Sequence, residues 1–248
     1  LLTQTGLIDK VLTTTGLQDC NGCTTPATID PLHANKNRAP FAEEWAYNSV
    51  IGMLMYLAGN TRPDISYAVH QAARFTHCPR SSHAVGVKRI LRYLKQTRSE
   101  GLLLNPTIDQ QVDCYVDADF GGLFSVENKQ DPVSAKSRTG YVITYRNAPL
   151  LWVSKMQTQI ALSTMEAEYI ALSQSMRDLI PIQEVLKEIM SIVFKIEPKI
   201  THHSHAQAFT DSIGTVPHLI PQSTVFEDNE VCLKFACMPG KIPVTDSL

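Results

Sequence analysis

The chain has 248 residues, 44% of them hydrophobic, 19% charged and 7% aromatic, with a formal net charge of −2. That size supports one large or two small domains with a real core, and the composition excludes disordered, collagen-like and coiled-coil classes. It has no apolar run long enough for a membrane span, and residues 1–18 lack the basic start and apolar core of a signal peptide.

The near-neutral total hides an asymmetry. Residues 1–106 carry 11 basic and 7 acidic residues, net +4, and residues 107–248 carry 11 basic and 17 acidic, net −6. Arg80, Lys88, Arg89, Arg92, Lys95 and Arg98 fall within 19 residues that contain no acid. Such a split fits either a polyanion grip joined to a carboxylate metal site or two ordinary solvated surfaces.

In chain order, residues 1–44 are loop-rich with one short helix at 7–12. Residues 45–58 carry the apolar spacing of a buried helix, stopped by Gly59-Asn60. Thr61-Arg62-Pro63-Asp64 caps a second helix with proline in its first turn, running to residue 75. Residues 83–97 form a third, with Val87, Ile90, Leu91 and Leu94 on one face and Lys88, Arg92 and Lys95 on another. That basic stripe suits a phosphate backbone or plain solvent.

After Gly101 the period changes to that of strands, at 102–104, 112–119, 140–145 and 150–153. Ser163-Thr-Met-Glu166 reads as a capping box for a helix from 164 to 179. Pro181 is expected to break it, with a second helix continuing to 194. Residues 197–223, Pro- and His-rich, read as a loop or insertion. A strand at 224–227 and a short helix at 229–236 follow. The order describes an α+β or mixed α/β fold.

Three of these elements offer carboxylate pairs at a terminus: Asp117 and Asp119, Glu166 and Glu168, Glu227 and Asp228. Two divalent ions about 3.5–4 Å apart need carboxylates converging from separate elements. Acidic element ends also arise for solubility and helix-dipole reasons. The cysteines give no comparable pattern. Cys20-Asn-Gly-Cys23 is a lone pair, and zinc would need His202, His203 or His205 across a long gap. Free thiols in a reducing compartment is the simpler reading. An aspartic protease needs Asp-Thr/Ser-Gly, and Asp211-Ser-Ile-Gly has an extra residue. No phosphate-binding glycine loop is present.

Several blocks together resemble the C-terminal part of the polyprotein of copia-type LTR retrotransposons. Tyr47-Asn-Ser-Val-Ile-Gly-Met-Leu-Met-Tyr-Leu-Ala58, Thr61-Arg-Pro-Asp-Ile65 and Lys88-Arg-Ile-Leu-Arg-Tyr-Leu-Lys95 are similar to its reverse transcriptase thumb and connection region. Val116-Asp-Ala-Asp-Phe-Gly-Gly122, Ser137-Arg-Thr-Gly-Tyr141, Trp152-Val-Ser-Lys-Met-Gln157 and Ala161-Leu-Ser-Thr-Met-Glu-Ala-Glu-Tyr-Ile-Ala-Leu172 are similar to its ribonuclease H blocks.

The resemblance implies a helical thumb–connection remnant over 1–106 and an RNase H-like domain over 107–248, with an insertion at about 195–223. It implies hydrolysis of the RNA strand of an RNA–DNA hybrid with two Mg²⁺ or Mn²⁺ ions, held by Asp117, Glu168 and Asp228. Lys88, Arg89, Arg92, Lys95 and Arg98 are the implied nucleic-acid contacts. The remainder of the polyprotein is the implied partner, and the setting is intracellular, a cytoplasmic particle or the nucleus, without a membrane. Thr210-Asp211-Ser212 is a weaker match to the third ligand. The polymerase Tyr-x-Asp-Asp is absent, so no polymerisation is expected from this piece. The family's Lys-His-Ile block, fifth strand, last helix and further acidic residue find no match, and Asp246 stands where a basic residue is expected. A truncated fold, and with it a catalytically inactive remnant, is the alternative.

Overall fold

A computed structural model describes residues 1–34, 38–106, 111–124, 131–194, 222–229, 232 and 236. The first half is built from amphipathic helices. α1 (Thr5–Thr14) buries Ile8, Val11 and Leu12, spaced i, i+3, i+4. α2 (Tyr47–Asn60) buries Tyr47, Val50, Ile51, Leu54, Leu57 and Ala58. A single 3₁₀ turn at Pro63–Ile65 then leads into α3 (Ser66–Ala73). Proline suits that turn because its missing N–H falls where no helical partner exists. α4 (Ser81–Gln96) buries His83, Ala84, Val87, Ile90, Leu91 and Leu94. These faces meet in one apolar cluster that also takes in Trp45, Ile65 and Val69. The Tyr47 hydroxyl donates to the Ala72 carbonyl at 2.9 Å and ties α2 to α3.

The second half is a mixed four-stranded sheet in the order β3-β2-β1-β4. β1 (Gln111–Asp119) lies between β2 (Arg138–Tyr145), antiparallel, and β4 (Gln222–Phe226), parallel. β3 (Ala148–Met156) returns from β2 through Arg146 and Asn147, both at positive φ (54° and 62°). Two positive φ values in a two-residue loop match the right-handed twist of the strands it joins. α5 (Thr164–Phe194) packs on β1 and β2, with Ala171 and Leu179 buried against Val112, Cys114, Val116 and Ile143.

The mixed α/β class stands as expected, with three differences of detail. The strand expected at 102–104 is a single bridge, in which Leu2 and Leu102 exchange backbone hydrogen bonds at 2.8 and 2.9 Å while Leu103 and Leu104 stay exposed. No second pairing partner reaches them among the described residues. Pro181 does not end the helix, because α5 runs through it. The proline removes one i→i−4 bond, to Arg177, and both residues lie on the exposed side. Leu179 before it and Ile182 and Leu186 after it all pack on the sheet, so burial on both flanks outweighs the lost bond. β4 begins at Gln222, two residues earlier than expected, inside the segment read as a loop. Most of that segment, and most of the helix expected at 229–236, lie outside the described residues. Cys232 and Ala236 there are helical.

The two layers touch along a seam. The Trp152 indole N–H on β3 donates to the Ala58 carbonyl on α2 at 2.6 Å. No helix among the described residues is long and apolar enough to cross a membrane.

Candidate metal centre

Three separate chain segments deliver the site. β1 is buried at Val112, Asp113, Cys114 and Val116 and carries Asp117 and Asp119, both exposed, at its end. α5 starts at a cap and carries Glu168 in its second turn. β4 leads directly into Glu227 and Asp228. One carboxylate oxygen from each of Asp117, Glu168 and Asp228 lies within 4.8 Å of the other two.

The neighbouring acids divide cleanly by role. Glu166 belongs to the cap: its N–H donates to Ser163 Oγ at 3.1 Å, and its Oε2 accepts from the Leu162 N–H at 2.7 Å. The capping box therefore forms with its second bond one residue earlier than the standard pattern. Asp119 belongs to the turn that follows β1. Any side chain at Gly122 would run into the Asp119 carboxylate, and Gly121 there takes φ +60°. Glu227 is different, since it is buried beside Glu168 and adds a fourth negative charge.

The electrostatics are those of unmatched like charges. Glu168 is 7% exposed, and its Oε2 has no hydrogen-bond partner. Burial, then the charges of Glu227, Asp117 and Asp228, push its carboxyl up to about 8, against a lowering by the Ala118 backbone. Burial raises Glu227 as well, opposed by the Asn229 N–H, which donates to its Oε1 at 3.3 Å. Its Oε2 is likewise buried without a partner. The nearby Cys232 thiol is pushed up to about 11, chiefly by burial and then by Glu227 and Glu168. Crowded, all-oxygen, under-satisfied donors are what a hard divalent cation such as Mg²⁺ or Mn²⁺ takes, so the residues fit that ion.

One positioning residue carried no role in the sequence. Gln157, 1% exposed, donates through Nε2 to the Ala167 carbonyl at 2.8 Å and to Thr139 Oγ1 at 3.2 Å. It clamps the first turn of α5 to the end of the hairpin, one residue before Glu168. Its backbone N–H also donates to the Ser137 carbonyl at 2.9 Å. A buried glutamine just past a strand is its signal, and burial is not visible in a sequence.

The basic stripe on α4 is engaged by the chain's own N-terminal segments. Lys88 Nζ pairs with Glu43 at 2.8 Å. Arg89 Nη2 donates to Thr25 Oγ1 at 2.5 Å, and Arg92 Nε to the Asn21 carbonyl at 2.8 Å. Arg98 forms a two-pronged pair with Asp9 at 2.5 Å, with Lys95 close enough to Asp9 to help lower its carboxyl. Cys20 and Cys23 are free thiols. Asp211, His202, His203, His205, His218 and Asp246 lie outside the described residues.

The protein is of the mixed α/β class, with a carboxylate cluster gathered at the ends of the parallel strands β1 and β4 and the start of α5. Its relatives are specific. The chain is 34% identical over 195 residues to the retrovirus-related Pol polyprotein from transposon TNT 1-94 of Nicotiana tabacum, covering 76% of this chain and 14% of that one. It is 33% identical over 188 residues to the corresponding polyprotein from transposon RE1 of Arabidopsis thaliana, covering 76% and 12%. An uncharacterized mitochondrial protein of Arabidopsis thaliana is 30% identical over 178 residues, covering 72% of this chain and 70% of that protein. No family model and no solved structure matches. The chain belongs to the Pol polyproteins of copia-type retrotransposons, as a fragment spanning 12–14% of the length of the two transposon relatives.

Proposed function

We propose that the chain is the ribonuclease H segment of such a polyprotein, joined to its thumb–connection region, and that it hydrolyses the RNA strand of RNA–DNA hybrids. The observation that carries this reading is the convergence of Asp117, Glu168 and Asp228 within 4.8 Å from three separate elements. In this reading residues 1–106 are the thumb–connection part and 107–248 the RNase H-like part. Asp117, Glu168 and Asp228 hold two Mg²⁺ or Mn²⁺ ions. Such ions supply an acidified water and a charge sink for phosphodiester hydrolysis when bound.

The chain's own residues do the rest. Gln157 and the Ala118 backbone hold Glu168 at the strand end. Glu227 keeps the cluster negative enough to retain cations against water. Lys88, Arg89, Arg92 and Lys95 lie along α4 and Arg98 just past its end, and in this reading they contact backbone phosphates, Lys88, Arg89, Arg92 and Arg98 by exchanging their present oxygen partners. Recognition by backbone and 2′-hydroxyl makes base identity secondary.

The test is cleavage of an end-labelled hybrid by the full chain with Mg²⁺ or Mn²⁺. Product that disappears with Asp117→Asn supports the reading. No product at any concentration of either ion overturns it and leaves a catalytically inactive remnant.

A further inference from the structure

The motif Cys20-Asn21-Gly22-Cys23 has no part in the metal centre, and the structure sets it directly against the basic stripe of α4. Both cysteines are half-buried free thiols. They lie in a strap, residues 17–34, with Leu17 and Leu32 packed on the helical core near its two ends. The Leu32 N–H also donates to Gln71 Oε1 at 3.1 Å. Between these anchors the strap meets α4. The Cys23 thiol donates to the Arg89 carbonyl at 3.4 Å. The Asn21 carbonyl accepts from Arg92 Nε at 2.8 Å, and Thr25 Oγ1 from Arg89 Nη2 at 2.5 Å. Gly22 lies so close to the helix that a Cβ there would run into Gln96. Lys88 and Arg98 have carboxylate partners, but Arg89 and Arg92 make no ion pair among the described residues, and Asp30 in their groove pairs with neither. Neutral oxygens of the strap are what engage these two cations.

Local preference and observed conformation conflict here. Asn-Gly is a strong turn sequence. Yet residues 20–23 run without a turn or bend, and Gly22 is not at positive φ. The contacts with α4 hold the dipeptide straight. Three residue steps without a turn span up to about 10 Å. A disulfide needs its two Cα atoms within about 7 Å. Linking Cys20 to Cys23 therefore forces the turn that Asn21-Gly22 favours and takes Cys23 off the Arg89 carbonyl. With Leu17 and Leu32 anchored, the shortening is taken up between them, where Asn21 and Thr25 hold Arg92 and Arg89.

We propose that Cys20 and Cys23 form a thiol–disulfide switch that controls access of a polynucleotide backbone to Arg89 and Arg92. In the dithiol form the strap engages both cations, and in the disulfide form it releases them. The oxidant is a small-molecule disulfide. One cysteine thiolate attacks it and displaces one thiolate, and the other cysteine then attacks the mixed disulfide and displaces the second. The chain's two sulfurs are oxidised, the small disulfide is reduced to two thiols, and the two cysteine protons pass to those thiols. The inference rests on reading the α4 stripe as a phosphate contact and is independent of hydrolysis.

The test compares the reduced and the oxidised full chain, each carrying Cys78→Ser to remove the exposed thiol. One sample is kept in a phosphine reductant, and the other is treated with oxidised glutathione. Peptide mass mapping reads the Cys20–Cys23 link, and amide hydrogen exchange reads the strap. Fluorescence anisotropy across a salt series reads binding to a labelled RNA–DNA hybrid whose RNA strand carries 2′-O-methyl sugars. Oxidation is expected to form the link and speed exchange in residues 17–32. It is expected to tighten binding at least about tenfold and to steepen the salt slope by about two, one for each freed cation. Cys20→Ser, which leaves the Cys23 contacts in place, is expected to remove the response. Arg92→Gln is expected to halve the gain in slope. Absence of the link, or a link with unchanged exchange, overturns the switch. A linked and loosened strap with unchanged affinity, in a chain that binds the hybrid when reduced, overturns its control of the stripe. No binding by either form overturns the phosphate reading of the stripe, while the exchange data still decide whether the dithiol moves the strap.

Discussion

The helical layer and the sheet layer treat charge in opposite ways. In the helical layer Arg62 meets Asp64, Lys88 meets Glu43 and Arg98 meets Asp9, at 2.5–2.8 Å. In the sheet layer Glu168, Glu227, Asp117 and Asp228 crowd together with no described cation in contact, and buried Arg138 has Asp119 opposite it in the register but no ion pair among the described residues. Paired charges hold a structure together and leave little for a ligand. Unmatched charges cost stability and are retained where something outside the chain completes them. The positive net charge of the first 106 residues is therefore a weaker pointer to function than the negative charge of the rest.

The largest effect expected from breaking this contrast is on turnover. Glu168→Gln or Asp228→Asn should reduce hybrid cleavage at least about a thousandfold, because metal centres supply several kcal/mol of charge stabilisation. Residual cleavage near the unchanged rate would show that the cluster is not the reactive centre. The next effect lies in the opposite layer. Arg62 is 2% exposed and donates to Asp64, the Thr97 carbonyl and Thr97 Oγ1. Arg62→Ala should cost about 3 kcal/mol in urea unfolding, through lost hydrogen bonds and packing, and should leave metal affinity unchanged.

A comparable effect should appear in the pH dependence of the metal-free chain. Glu168 is raised from 4.5 to about 8, so between those values the folded state binds more protons than the unfolded state. Unfolding free energy then falls as pH rises through that window and levels off above it. With EDTA present, stability should drop by a few kcal/mol from pH 4.5 to 8. Glu168→Gln should flatten that slope, and saturating Mn²⁺ should reverse the loss at the upper end. A flat profile in the unchanged chain would remove the like-charge picture. The smallest effect belongs to the paired stripe. Lys88→Ala should shift stability by less than about 1 kcal/mol, since a half-exposed ion pair gains little over water. Any loss of hybrid affinity in that variant would then report a phosphate contact and not a folding defect.

Much of the fold was legible because it is local. The apolar spacing at Val87, Ile90, Leu91 and Leu94 gave α4, and Pro63 marked the turn before α3. The three clustered carboxylates were legible from the blocks that hold them, and Glu168 was separated from Glu166 by the helix face each occupies. What the sequence hid is pairing across distance. Nothing local marks Thr25 as a partner of Arg89, Gln157 as the clamp on α5 or Glu227 as buried. Pro181 misled for the same reason: its local cost is real, but the apolar contacts of Leu179, Ile182 and Leu186 with the sheet decide the outcome.

The bond from the Trp152 indole to the Ala58 carbonyl has a practical consequence. The chain has two tryptophans, and Trp45 is buried within the helical layer while Trp152 stands on the seam. With Trp45→Phe, the remaining fluorescence becomes a gauge of whether the layers are closed on one another. A red shift on mild denaturation, ahead of any loss of helix signal, would catch them parting before either one melts.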